Sequence, residues 1–311
     1  MAIANGRQGF DVMDVTDKLV ELSELFARFT ERDRDRPLDF GGVRLYRRDL
    51  PTPPQHYECG PGFSLVVQGA KRLTAGAERF DYGAGQYLLT SLHLPVVTQV
   101  TAASPDAPHF CLFIPIDTEA MGELLARIGT PPGGDADGMR SVGVNPATPD
   151  LLDAATRLVR LADRPQDMPA LAPLFRQEIL YHLLTGPDGP RLLHLALSAG
   201  HHAGRIPRAL AWMRAHFAET LRVEMLAEHV GMSVSSLHHH FKAVTAMTPI
   251  QFQKQLRLHE ARRLMLMENL DAGTAALRVG YQSPSQFSRD YSRLYGAPPV
   301  RDVERVRQAA A

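Results

Sequence analysis

Two stretches of the chain, VGMSVSSLHHHFKAVTAMTP at 230–249 and VGYQSPSQFSRDYSRLYGAPP at 279–299, follow one plan 49 residues apart. Each has an apolar residue, a glycine, a short serine-containing turn and then a segment of helical period. Gly231 and Gly280 can take the left-handed conformation that ends a helix, because they lack the Cβ that clashes there. Ser233 stands where its hydroxyl can cap the next helix, which carries Leu237, Phe241 and Val244 at i, i+4 and i+7. A short helix over about Val223 to His229 precedes it and buries Leu226 and Val230. In the second copy Thr274 is the expected cap of a helix bearing Ala275, Ala276, Leu277 and Val279. Pro284 fits the first turn of the next helix, which buries Phe287, Tyr291 and Leu294.

A short helix, a glycine-containing turn and a second short helix form the helix-turn-helix unit, whose second helix enters the major groove of DNA. The outward positions of the first candidate reading helix are Ser235, Ser236, His238, His239 and Lys242; those of the second are Ser285, Gln286, Arg289 and Arg293. Arginine can bridge guanine O6 and N7, and glutamine can pair with adenine in the same two-bond manner, so Gln286 and Arg289 are the expected base readers.

The intervening PIQFQKQLRLHEARRLMLMENLD places Phe252, Leu256, Leu258, Ala261, Leu264, Met265 and Met267 at helical spacing. The pattern predicts a connector helix of about 18–20 residues, or roughly 27–30 Å at the usual rise. Such a bar suits two reading helices set about 34–36 Å apart on one face of a duplex.

Charge supports a polyanionic partner for this part of the chain. Residues 201–311 hold 15 Lys+Arg against 9 Asp+Glu, leaving 19 against 25 for residues 1–200 of a chain whose formal charge is zero.

The earlier part has a different texture. A helix is expected from Val12, Val15, Leu19, Leu22, Phe26 and Phe29. Strand-like runs follow at Val43–Arg48, Phe63–Gln68, Gln86–Thr90, Val96–Thr101 and Phe110–Ile114, divided by PTPP, GPG, Ala75-Gly76 and YGAG. With no helix of crossover length between them, they predict a small barrel or a double-sheet roll. In YGAGQYLLTS the glycines turn the chain so that Tyr87, Leu88 and Leu89 enter a strand against the interior.

After Pro115 three apolar stripes predict helices: Met121 to Ile128, Leu151 to Ala162 and Leu171 to Leu184, with an exposed loop at 131–138. One stripe is expected to serve a homodimer contact as well as the core. The fold class is therefore α+β and multidomain: a sensing or dimerisation region over 1–200, then an all-α double helix-turn-helix domain over 201–311.

These residues carry a family resemblance. Ile206 to Arg307 resembles the DNA-binding domain of the AraC family of bacterial transcription regulators, most specifically in VGYQSPSQFSRDYSRLYGAPP. PTPPQHYECGPGFSLVVQGAKR, YLLTSLHLPVVTQV and LFRQEILYHLLTGPDGPR are similar to the N-terminal domain of one subgroup. The resemblance implies a cupin-like β-barrel followed by helices, used for effector sensing or dimerisation. It also implies base-facing positions at Ser235, His238 and His239 and at Ser285, Gln286 and Arg289. His239 stands where close relatives commonly have Arg, and a neutral imidazole lacks that residue's bidentate, charge-assisted contact. Some members of the subgroup respond to reactive aldehydes. The implied partners are double-stranded DNA, RNA polymerase and a small-molecule effector whose site is unknown.

Other chemistry finds little footing. Cys59 and Cys111 lie outside any CxxC, which fits a reducing cytoplasm and no disulfide scaffold. No signal-peptide run or membrane-crossing stretch is present. His238, His239 and His240 are consecutive on a helix, so their side chains diverge by about 100° per step and cannot converge on a metal. His109 and Cys111 share a strand face, with His56 and His93 elsewhere, but no metal set or cofactor is expected. Catalytic elbows, P-loops, HExxH helices and Rossmann fingerprints are absent, and no enzyme activity is expected. The alternatives are a cupin-type enzyme with an accessory helical domain, which needs a convergent polar site, and a protein-interaction module. Tyr57, Phe63, Tyr87 and His93 are within reach of an effector cavity in a small barrel, but a satisfied core or surface role is the expectation for each.

Overall fold

The computed structural model describes residues 15–30, 38–129, 140–199 and 204–310. The expectations for Val12, for the loop at 131–138 and for the boundary between residues 200 and 201 lie outside the described residues.

Helix α1 (Val15–Phe29) turns Leu22, Leu25 and Phe26 inward. Nine strands follow: β1 (Leu38–Phe40), β2 (Val43–Arg48), β3 (Gln55–Cys59), β4 (Gly62–Gln68), β5 (Ala70–Ala75), β6 (Glu78–Gly83), β7 (Gln86–Thr90), β8 (Leu94–Ala102) and β9 (His109–Pro115). Helix α2 (Thr118–Ile128) leads to β10 (Val142–Pro146), and then come α3 (Pro149–Arg160), α4 (Met168–Thr185) and α5 (Gly189–Ala199). Beyond Gly204 the chain is all helical: α6 (Arg205–Ala215), α7 (Val223–His229), α8 (Val234–Thr245), α9 (Pro249–Met267), α10 (Ala272–Arg278), α11 (Pro284–Tyr295) and α12 (Pro299–Ala310).

The strands form two antiparallel sheets, ordered β1-β2-β9-β4-β7-β10 and β3-β8-β5-β6. Of the two architectures compatible with the strand pattern, the double sheet is the one found; the described strands do not close into a barrel.

Alternation along the strands explains why both faces of the larger sheet are apolar. Leu45, Phe63, Leu65, Leu89, Phe110 and Leu112 enter a core completed by residues of α1, α3 and α4. Their neighbours Tyr46, Ser64, Leu88 and His109 face the smaller sheet. Strand β4, GFSLVVQ, is consequently buried at six consecutive positions from Gly62 to Val67, the near-continuous pattern of a strand covered on both sides.

A second core lies between the sheets and the first helix-turn-helix unit. It joins Val66, Leu73, Leu94 and Val96 to Ile206, Leu210, Leu226, Leu237, Phe241 and Phe252. Polar contacts seal the same boundary. Ser141 donates from both its backbone N and its Oγ to the Val244 carbonyl, at 3.2 and 2.7 Å, and Arg214 pairs with Glu58. Gly76, at φ +58°, sits so close to the Ala246 carbonyl that any Cβ would overlap it. A third core belongs to the second unit, with Leu258, Ala261 and Leu264 packed on Ala275, Ala276, Phe287 and Tyr291.

Candidate functional site

In the first helix-turn-helix unit, α7 ends at a turn in which Gly231 has φ +66°. The Ser233 hydroxyl then accepts from the Ser236 N–H to start α8. Leu237, Phe241 and Val244 are buried, which fixes the rotation of α8. Ser235, His239 and Lys242 are consequently exposed, and Ser236 and His238 half-buried.

The second unit repeats this with Gly280 at φ +89° and the Ser283 hydroxyl accepting from the Gln286 N–H. Pro284 occupies the first turn of α11, and Phe287 and Tyr291 are buried. Ser285, Gln286, Arg289 and Arg293 are exposed. Arg293 lies 3.9 Å from Asp290 with 79% of its side chain accessible. Among the described residues Arg289 has no ion-pair partner.

Two local readings are corrected. The cap of α10 is Asp271, whose carboxylate accepts from the Gly273 and Thr274 N–H groups. Thr274 instead donates its hydroxyl to that carboxylate at 2.6 Å, since a carboxylate is the stronger acceptor for the orphan donors of a first turn. Leu294 is half-buried, and Tyr295 takes the buried position at that end of α11.

The connector α9 has 19 residues, about 28 Å at the usual rise. A capping box starts it, with Thr248 Oγ1 accepting from the Gln251 N–H and the Gln251 side chain accepting from the Thr248 N–H. Its two halves serve different cores: Phe252 and Leu256 pack with the first unit, and Leu258, Ala261, Leu264 and Met265 with the second.

Sequence reasoning missed the polar residues that lock this arrangement. Gln253 Nε2 donates to the carbonyls of Phe217 and Glu219. Arg257 donates to Phe217, Ala218 and Glu219 and, from Nη1, to Gly280. One guanidinium thus joins the turn between α6 and α7 to the turn of the second unit. At Gly280 any Cβ would overlap the Ala218 carbonyl, so the same contact demands glycine for space as well as for φ. The available signal was the pair Gln253 and Arg257, four residues apart on a helix flanked by Phe252 and Leu256. Asp302 is fully buried under Arg262, Tyr291 and Arg305. Burial pushes its carboxyl up, but the bonds and charge of Arg262 with those of Tyr291 and Arg305 hold it below the ordinary range.

A cavity of about 250 Å³ lies between the two sheets. Tyr57, exposed on β3, lines it. Phe63 and Tyr87 point the other way, into the core beneath the helices, and His93 is exposed beside Gly60. The side chains sequence reasoning did not place there include Lys71, Tyr46, Tyr82, Ser64 and His109. Ser64 Oγ lies 3.3 Å from Tyr82 Oη and 3.2 Å from Cys111 Sγ. Burial, with the charges of Lys71 and Arg48, lowers His109 to about 3, so its imidazole is neutral. Burial raises the Cys59 thiol against the opposing influences of Thr90 and Lys71, which disfavours the reactive thiolate. Among the described residues no group of three or more His, Cys, Asp or Glu side chains gathers to hold a metal, and no helix is long and apolar enough to cross a membrane.

Comparison with known proteins agrees with this geometry. Residues 39–191 match the family of AraC-type transcriptional regulator N-termini, and residues 226–305 match a helix-turn-helix domain family. The HTH-type transcriptional activator RhaS of Salmonella schwarzengrund is 29% identical over 159 residues, 51% of this chain and 56% of RhaS. RhaS of Citrobacter koseri is 32% identical over 111 residues, 36% of this chain and 40% of that protein. The chain thus spans about half the length of these curated relatives or less. A solved structure of ToxT from Vibrio cholerae shares the fold, with TM-score 0.54 at 9% identity, covering 84% of this chain and 97% of ToxT. With both matched segments in their expected order, the chain belongs to the AraC family of transcriptional regulators, joining an AraC-type N-terminal region to a helix-turn-helix DNA-binding region.

Proposed function

We propose that the protein binds double-stranded DNA through α8 and α11 and regulates transcription in response to a small molecule held between its two sheets. The observation that carries the reading is the combination of two exposed polar helix faces with a connector whose side chains clamp both units. In this reading Ser235, His238 and His239 face one major groove and Ser285, Gln286 and Arg289 the next, while Ser236, Lys242 and Arg293 contact phosphates or flanking bases. The division of labour follows the chain: sensing and dimerisation over 1–200, DNA binding over 201–311. A cytoplasmic location and action by binding rather than catalysis accompany it.

Leu174 and Tyr181 remain exposed seven residues apart on α4, which suits them to a contact with a second copy. Two copies would present four reading helices and raise affinity through effective concentration. Contact with RNA polymerase would give activation, and promoter occupancy repression.

Strand β3 links the proposed sensor to the DNA-binding region. Its Gln55, Tyr57 and Cys59 line the cavity. On the same strand His56 packs edge-on to Tyr295 at 4.8 Å, and Glu58 pairs with Arg214. A ligand that shifts β3 would be felt at the ends of α6 and α11.

Selection of bound fragments from a random DNA library, followed by footprinting, tests the reading. The expected result is a site with two segments about one helical turn apart and an affinity that falls steeply with salt. Failure to protect any selected fragment, or a flat salt response, would rule the interface out.

A further inference from the structure

Lys71 lies on β5, where alternation sends Lys71 and Leu73 inward while Arg72 pairs with Asp81 outside. Its ammonium faces the cavity, 5.9 Å from the Tyr46 ring centre, and among the described residues it has no carboxylate partner. The other charges at the cavity are engaged: Arg44 with Asp39, Arg48 with the Arg47 carbonyl, Glu58 with Arg214. Burial works against the Lys71 charge while Tyr82, Cys111, Cys59 and Tyr46 favour it, and the balance keeps it protonated. Lys71 is half-buried at a partly open cavity, so an anion seated there would give its ammonium the counter-charge that no carboxylate of the described residues supplies.

A second orphan faces the same space. His109 is 1% exposed, lines the cavity, and among the described residues neither ring nitrogen has a hydrogen-bond partner. As a neutral imidazole it offers one N–H donor and one acceptor. Leu73, Leu88, Val96 and Phe113 make much of the remaining lining apolar. The cavity's 250 Å³ corresponds to roughly eight water volumes, hence a ligand of about ten non-hydrogen atoms.

We propose that this cavity takes a compact organic monocarboxylate, its charge seated on Lys71, its oxygen accepting from His109, and its apolar body against Leu88, Val96 and Phe113. The proposal rests on the effector reading above and narrows it to one class of ligand. One ammonium and one imidazole N–H match a monoanion; a phosphate dianion calls for more donors than are free here.

A fragment panel of up to about ten non-hydrogen atoms, comprising monocarboxylates with matched alcohols, amides and amines, is to be screened against the full chain by ligand-observed NMR. Acids are expected to bind at least tenfold more tightly than their neutral isosteres. Lys71→Met should lose that preference at least tenfold, and Lys71→Arg should keep it. Should Lys71→Met fail to fold, His109→Phe provides the second variant and is expected to weaken acids selectively. Equal binding of acids and neutral isosteres would leave the cavity a ligand site and overturn its anion class. Binding of no fragment from any class would overturn both readings and leave the cavity to solvent. Undiminished acid binding in Lys71→Met would make Lys71 a bystander and sink the proposal.

Discussion

The guanidinium of Arg257 donates to the carbonyl of Gly280 at 3.2 Å, while its Nε reaches Phe217 at 2.7 Å and Nη2 reaches Ala218 and Glu219. Three carbonyls of the turn leading into the first helix-turn-helix unit and one from the turn of the second therefore share one side chain. The connector sets the spacing of the units; Arg257 sets their relative rotation.

Arg257→Met should lower unfolding free energy by about 2–3 kcal/mol, since charged donors are lost and carbonyls are left partly unsatisfied. The more telling effect is on binding. Affinity for a two-segment site should fall at least tenfold while binding to a single segment changes little. Chemical denaturation and gel shifts on both probes check this, and equal losses on both would mean that Arg257 supports stability only.

Arg289 is exposed with no ion-pair partner among the described residues, so its guanidinium is available to a base edge. Arg289→Ala should cost about 1–3 kcal/mol at the selected site and flatten preference at one base position. Measured on random-sequence DNA, the loss should be small. An equal loss on both would reassign Arg289 to a phosphate.

His239 is exposed on α8, at the position where the family resemblance suggests Arg. His239→Arg should raise DNA affinity by about 1 kcal/mol at pH 7.5 and steepen the log–log salt slope by about 1. Salt titration by fluorescence anisotropy reads both quantities. Unchanged affinity and slope would place residue 239 away from the duplex.

Acid should weaken the junction between the sheets and the second unit. The His56 and His259 rings lie 6.2 Å apart beside Tyr295. Burial and then the Arg262 charge lower His56 to about 4, against the opposing pull of Asp302. Burial, then His56 and Arg262, lower His259 to about 4. Both folded values lie below the ordinary 6.5, so between roughly 6.5 and 4 the unfolded chain binds more protons and stability falls as pH falls. Denaturant titrations at pH 7 and 4.5 should differ by an amount on the order of 2 kcal/mol from this pair, less than the full displacement because both rings are partly accessible. The double change His56→Gln, His259→Gln should flatten that slope, and an undiminished slope would locate the acid sensitivity elsewhere.

Much of the DNA-binding half was legible because its signals are local. Gly231 and Gly280 announce left-handed turns, Ser233 caps one reading helix, and the apolar spacing of Phe252 to Met265 specifies the connector. Even here, choosing Asp271 over Thr274 as a cap required knowing which acceptor the first-turn N–H groups would meet. In the sheets, period-two alternation tells which residues share a face. It does not tell which face meets helices and which meets the second sheet. Phe63 and Tyr87 therefore fell on the helical side, while Ser64, Leu88, Lys71 and His109 came to the cavity.

By itself the sequence determined the two units, the length of the bar between them and the polar residues they display, because helix period, caps and turns depend on neighbours a few residues away. Tertiary structure alone decided that Arg257 would reach Gly280 and that Lys71 would face one cavity with His109. Those partners are 23 and 38 residues apart, and their meeting depends on sheet register and on how separate cores pack, which no local spacing encodes.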